Sequence, residues 1–94
     1  MVTLLVKHTV TNYSNWKKVY DGLAPTRKSM GVTSASVSRD AQNANVLTVT
    51  HNFKDAAAAG AFAHSDELKA AMAKAGVAGA PDIWIAEQVE QTAF

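Results

Sequence analysis

The sequence predicts an α+β fold of order β-α-β-β-α-β, with a four-stranded antiparallel sheet and both helices on one face. Three observations carry this. Residues 2 to 10 alternate, with Val2, Leu4, Val6, His8 and Val10 on one face and Thr3, Leu5, Lys7 and Thr9 on the other, the two-residue period of a half-buried strand. Tyr13, Trp16, Tyr20, Leu23 and Arg27 recur at three- and four-residue spacing, which lines them up along one helix stripe. "VTSASVS" and "NVLTVTHNF" are β-branched runs on either side of "RDAQNAN", whose Asp and Asn residues suit a turn.

The elements follow in order. Asn12 suits an N-cap, since its side-chain oxygen can accept from an orphan amide two or three residues on. The helix it opens runs to about Met30. Pro25 lacks an amide and crowds the carbonyl four residues earlier, so a kink or break is expected between Gly22 and Thr26. Gly31 supplies the left-handed residue that closes a helix. The hairpin comes next, with strand three from about Asn45 to Phe53. Asp55 caps a second helix that is alanine-rich through Phe62. Ser65, with Asp66 and Glu67, looks like a further cap before Leu68, Ala71, Met72 and Ala75, and Gly76 ends the run. "GVAGAPD" reads as a small-residue loop, with Pro81 at a strand's first position, and "IWIAEQVE" as strand four. Short links and right-handed crossovers then favour the ferredoxin-like arrangement.

Composition narrows the function classes. A chain of 94 residues makes one domain and buries roughly 60 to 65% of its unfolded surface, so its core is thin and association with a partner is expected. Nine Lys and Arg against eight Asp and Glu, without long runs, give no basic stripe for a phosphate backbone, so nucleic acid is not an expected partner. With no cysteine there are no disulfides, thiol nucleophiles or thiolate metal sites. The apolar run before Lys7 is too short for a secretory signal and no window approaches the ~20 apolar residues of a membrane span, so no membrane association is expected and the cytoplasm is the expected location. There is no G-x-G-x-x-G, P-loop, paired-histidine zinc motif or nucleophile elbow. No cofactor is expected.

Two histidines stand out. His8 shares a strand face with Val2, Leu4 and Val6, and His51 shares one with Leu47, Val49 and Phe53, so both are expected to point toward the helices. With Val6 opposite Val49 they are offset by about four residues, or ~13 Å at ~3.3 Å per residue. One metal ion with ligand distances of ~2.1 Å cannot hold both, and no metal site is expected within a subunit. An imidazole with an ordinary pKa near ~6.5 can remove an acidic proton from a phenolic or enolisable compound; equally, it can be a buried ring satisfied by a hydrogen bond. Trp16 and Tyr20 are either core anchors or the wall of a ligand pocket. Large rings facing the small residues Ala56 to Ala61 would leave a cavity. Arg27, on the same stripe beyond the kink, either binds a carboxylate or reaches solvent. His64 reads as a surface residue, Lys69 and Lys74 as a solvated face, and Trp84 as packing or a subunit contact.

Three stretches carry a resemblance: "VTNYSNW" opening helix one, "NFKDAAAAGAF" leaving strand three, and "HSDELKAAMAKAGVAGAPDIWIAE". With them the sequence resembles the antibiotic biosynthesis monooxygenase-like family of dimeric α/β barrels over nearly its whole length. The resemblance implies a homodimer formed by the outer sheet faces and, in each subunit, a small-molecule pocket between sheet and helices. Members include cofactor-free oxygenases, haem-degrading enzymes and proteins of unknown role. Many carry a histidine three residues before the serine cap, where this sequence has Phe62, and the Asn, Trp and His set of the haem-degrading members has no match here.

Two functions compete. One is a cofactor-free monooxygenase or cyclase that acts on an aromatic or polyketide-like compound, with His8 or His51 abstracting a proton and Trp16, Tyr20 and Arg27 holding the substrate. The other is a non-catalytic binding or assembly module. A cavity of ~300 Å³ or more with a histidine in its wall would fit the enzyme, and a space filled by the same rings would fit the module.

Overall fold

A computed structural model describes residues 1–94. The elements are β1 (Val2–Val10), α1 (Tyr13–Gly22), α2 (Ala24–Ser29), β2 (Ser34–Arg39), β3 (Val46–Phe53), α3 (Ala56–Ala63), α4 (Asp66–Lys74) and β4 (Val77–Glu87). They build one antiparallel sheet of order β2-β3-β1-β4. The expected α+β, ferredoxin-like architecture is present, with each of its two helical segments divided into a pair.

The first division falls where Pro25 requires it. Leu23 (φ −83°, ψ −6°) closes α1, and Pro25 lies in the first turn of α2, where its missing amide would have no helical partner. The second falls at His64. There the Ser65 hydroxyl donates to the Phe62 carbonyl at 2.7 Å and its oxygen accepts from the Leu68 amide at 3.1 Å, so one side chain ends α3 and starts α4. Asn12 and Asp55 cap α1 and α3 by accepting from Asn15 N–H at 2.9 Å and Ala58 N–H at 2.8 Å. Gly76, at φ +78°, ends the α4 segment; a Cβ there would stand 2.8 Å from the Thr11 hydroxyl oxygen, so backbone sign and space both demand glycine.

The hairpin turn is built as its composition suggests, with Asp40 Oδ2 accepting from the Gln42 and Asn43 amides, each at 3.0 Å. Strand four differs from expectation. "GVAGAPD" is not a loop, because β4 begins at Val77 and ends at Glu87 rather than Glu90. Lys7 pairs with Asp82 and Thr9 with Ala78, so Gly79, Ala80 and Pro81 stand opposite His8 alone. This is a bulge in an edge strand, where proline's missing donor breaks no ladder bond and Gly79 can adopt φ +71°. Small residues and proline look like a loop in sequence because they lack side chains to reveal a buried face.

The core lies between the sheet and the helices in two adjoining clusters. One joins Val2, Leu4, Val6 and Phe53 to Ala59, Phe62, Ala63 and Leu68. The other joins Val10, Leu47 and Val49 to Trp16 and Ala75. His8 and His51 are buried on the same sheet face as both clusters.

Candidate functional site

The register places the two histidines as the alternation implies. Val6 pairs with Val49, which sets His8 opposite Leu47 and His51 opposite Leu4. That four-residue stagger spans ~13 Å along the sheet. No three His, Asp or Glu side chains converge on a common point. His8 and His51 are only 7% and 3% exposed, and neither nitrogen of either ring has a hydrogen-bond partner.

Above them runs the aromatic stripe of α1. Trp16 and Tyr20 stack with centroids 4.9 Å apart, and Tyr13 stacks on Trp16 at 5.9 Å. The edge of the stack meets the histidines: His8 lies 5.8 Å from Trp16 in a T-shaped contact, and His51 lies 6.4 Å from Tyr20. His51 also contacts Phe62 at 5.1 Å. Trp16, 4% exposed, is a core anchor as well as a wall of this space. Tyr20 is half-buried.

Arg27 does not simply reach into solvent. Its guanidinium carbon lies 3.9 Å from the Tyr20 ring centroid, its Nη2 donates to the Tyr20 carbonyl oxygen at 3.1 Å, and its Nε is buried without a partner. α1 and α2 thereby form a corner with Arg27 folded back across it. His64, Lys69 and Lys74 are exposed, as their positions suggest. Trp84 is 44% exposed and pairs with Leu5, on the sheet face opposite the histidines.

A cavity of about 40 Å³ lies among these groups, lined by His8, His51, Trp16, Tyr20, Val49 and, from α4 and its C-cap, Leu68, Ala71, Met72 and Ala75. Two expectations change here. The small residues facing the rings belong to α4 and not to Ala56–Ala61, because α1 packs against α4 while α3 packs on the sheet. The space is also far below the ~300 Å³ that holds a drug-sized ligand, though it exceeds the ~10–15 Å³ that one water needs. An aromatic compound enters only if part of the wall moves. Leu23 in that wall is the N-cap of α2, the one helix with no buried residue and no side-chain N-cap hydrogen bond.

Burial and charge set the histidine chemistry. Desolvation lowers the His8 pKa. Desolvation, and then the nearby Arg27 charge, lower that of His51 to about 4. His51 is therefore neutral at pH 7, with one ring nitrogen able to accept a proton.

Comparison with known proteins agrees with this architecture. The sequence profile of the antibiotic biosynthesis monooxygenase family matches residues 7–74, a span that includes β1's His8, the α1 stripe, Arg27 and His51. The protein belongs to that family. No match is found among curated proteins. A Caulobacter crescentus structure, provisionally described as an antibiotic biosynthesis monooxygenase, has a TM-score of 0.75 at 24% identity, covering 95% of this chain and 90% of its own. One from Bordetella bronchiseptica with the same provisional description has a TM-score of 0.80 at 10% identity, with 95% and 97% covered. A conserved protein of Methanosarcina mazei has a TM-score of 0.75 at 16% identity, with 93% and 91% covered. At these identities the likeness extends to the fold of the monooxygenase family, and the chemistry of the site must be argued from this chain's own residues.

No helix is long and apolar enough to cross a membrane. Of the residues the sequence singled out, His8, His51, Trp16 and Tyr20 line the cavity, and Arg27 lies outside it against the Tyr20 ring. Sequence reasoning missed the α4 wall: Ala71 and Met72 carry no chemical signal, and only the packing of α4 beside α1 brings them to the cavity.

Proposed function

We propose that the protein is a small-molecule enzyme of the cofactor-free monooxygenase or cyclase type, acting on an aromatic or polyketide-like compound by histidine-assisted proton abstraction. One observation carries this reading: two buried imidazoles with no hydrogen-bond partner meet an aromatic wall at a cavity. Trp16 and Tyr20 would hold a flat ring system by stacking. A neutral histidine would take the acidic proton, and apolar walls would keep water from returning it. His8 is shifted by burial alone, whereas His51 also carries the effect of Arg27, so the two imidazoles are unequal bases. In the oxygenase form the substrate supplies the electrons. An activated methylene and one dioxygen become a carbonyl and one water, with no external reductant.

The test is oxygen uptake with a panel of hydroxylated anthrones and naphthols. Uptake by the native protein should fall about 100-fold or more in the His8→Ala, His51→Ala double variant. Undiminished uptake in that variant would reject histidine chemistry, and turnover without oxygen would select the cyclase form. The small cavity favours a second reading, a non-catalytic module whose pocket is filled by its own rings. Absence of turnover across the panel, with oxygen or without, would select it.

In either form we place the protein in the cytoplasm as a homodimer joined through the outer sheet face. Leu5 lies beside the exposed Trp84 on that face. Light scattering at micromolar concentration should give twice the monomer mass, and a monomer would reject this arrangement.

A further inference from the structure

Five buried polar atoms lack a hydrogen-bond partner, and all belong to the neighbourhood of this site: both ring nitrogens of His8, both of His51, and Nε of Arg27. Leaving a buried donor or acceptor unpaired forfeits its hydration without a replacement bond, which is why such atoms are rare. The four imidazole nitrogens lie in the cavity wall, and Arg27 lies just behind it, stacked on the Tyr20 ring that forms part of that wall. The histidines ask for a group that donates or accepts a proton. Arg27 asks for an anion.

Its charge has no partner within the chain, since the only ion pair joins Lys17 to Asp21. Tyr20 offers Arg27 a ring face and a carbonyl oxygen, which satisfy part of the guanidinium and leave Nε free. Nε and the adjacent Nη2 form one side of the guanidinium fork, the edge that accepts a carboxylate through two parallel hydrogen bonds. Nε is buried, while the residue as a whole is half-buried. Arg27 borders a surface depression of about 320 Å³ with Lys28, Val32 and Ser34, and no Asp or Glu lines it. Arg27 therefore stands between an open surface depression free of acidic residues and the Tyr20 ring that walls the cavity, near enough to His51 for its charge to act there.

We propose that the compound bound at this site is an aromatic carboxylate and that Arg27 selects it by pairing with the carboxylate. The inference rests on the small-molecule pocket described above and adds the charge of its ligand. Engaging a carboxylate draws Arg27 off the Tyr20 carbonyl. Because that contact ties α2 to α1, its release lets α2 lift between its caps Leu23 and Met30, and Leu23, which lines the cavity, moves with it so that the ring enters beside Tyr20. Gly31, which follows the Met30 cap at φ +97°, lies in a region few other residues occupy. The bound negative charge also offsets Arg27 at His51, whose affinity for a proton then rises as the substrate arrives.

The probes are 1-hydroxy-2-naphthoate and its uncharged partner 1-hydroxy-2-naphthamide, compared by calorimetry at pH 7. The native protein should bind the naphthoate about tenfold or more tightly than the naphthamide, the margin of a charge-assisted hydrogen bond. In Arg27→Gln that preference should vanish, and Arg27→Lys should restore it only in part because an ammonium lacks the fork. Proton NMR of the native protein gives an independent reading: the His51 ring should titrate at higher pH with naphthoate bound and not with naphthamide bound. Equal affinity of the native protein for both compounds, or a preference that survives in Arg27→Gln, would overturn the selection by Arg27 and leave the pocket standing. If neither compound binds, the inference falls together with the pocket reading beneath it.

Discussion

Replacing Phe62 with alanine should lower the unfolding free energy by about 3–5 kcal/mol, a large part of the roughly 5–14 kcal/mol expected for a chain of this length. The reason lies in α3, whose sequence AAAAGAFA contains one large side chain. Phe62 is fully buried and lies 5.1 Å from His51 and 5.8 Å from Phe53 by ring centroids, so it joins the helix to the sheet at the boundary of the two core clusters. The neighbours that face the core with it, Ala59 and Ala63, are too small to close the space left behind. Urea denaturation should show a lower midpoint with an unchanged slope. A loss below about 1 kcal/mol would mean that α3 collapses onto the sheet without its anchor.

Acidification should destabilise the native protein between pH 6.5 and 4 through His51. Its folded-state pKa is depressed to about 4, so over this window the unfolded chain binds the proton and the native ring does not. The stabilisation is complete above the unfolded value near 6.5 and is lost as the pH falls toward 4. A shift of this size corresponds to about 3 kcal/mol. His8, whose pKa is lowered by burial, acts in the same direction. The groups that face His51 are Tyr20 from α1, Phe62 from α3 and the charge of Arg27 from α2, and none of them is an acid that would pair with an imidazolium. Denaturation midpoints measured from pH 7 to 4 should fall accordingly, and His51→Leu should flatten most of the slope. A slope unchanged in His51→Leu would assign the acid sensitivity to other residues.

These two effects show how the candidate site was partly legible beforehand. His8 and His51 were legible because a strand has a period of two: each sits an even number of residues from its apolar neighbours, which fixes its face without any knowledge of the partner strand. Pairing of Val6 with Val49 then set their separation. The stripe of Tyr13, Trp16 and Tyr20 was legible for the same kind of reason at a period of 3.6. Arg27 shared that stripe, but its fate did not follow from it. Pro25 interrupts the helix, and beyond the interruption the direction of a side chain depends on how the next segment is set; here it folds back over Tyr20.

Local chemistry in the chain determined the strand faces, the caps at Asn12, Asp55 and Ser65, the break before Pro25 and the turn at Asp40, because each depends on groups a few residues apart. Tertiary structure decided what those local rules leave open. It set α4 rather than α3 against the aromatic stripe, turned "GVAGAPD" into a bulged edge strand, and closed the cavity to about 40 Å³. The volume of a cavity is a small difference between the space enclosed by the elements and the side chains that fill it. It depends on contacts between residues far apart in the chain, and no period or local motif records it.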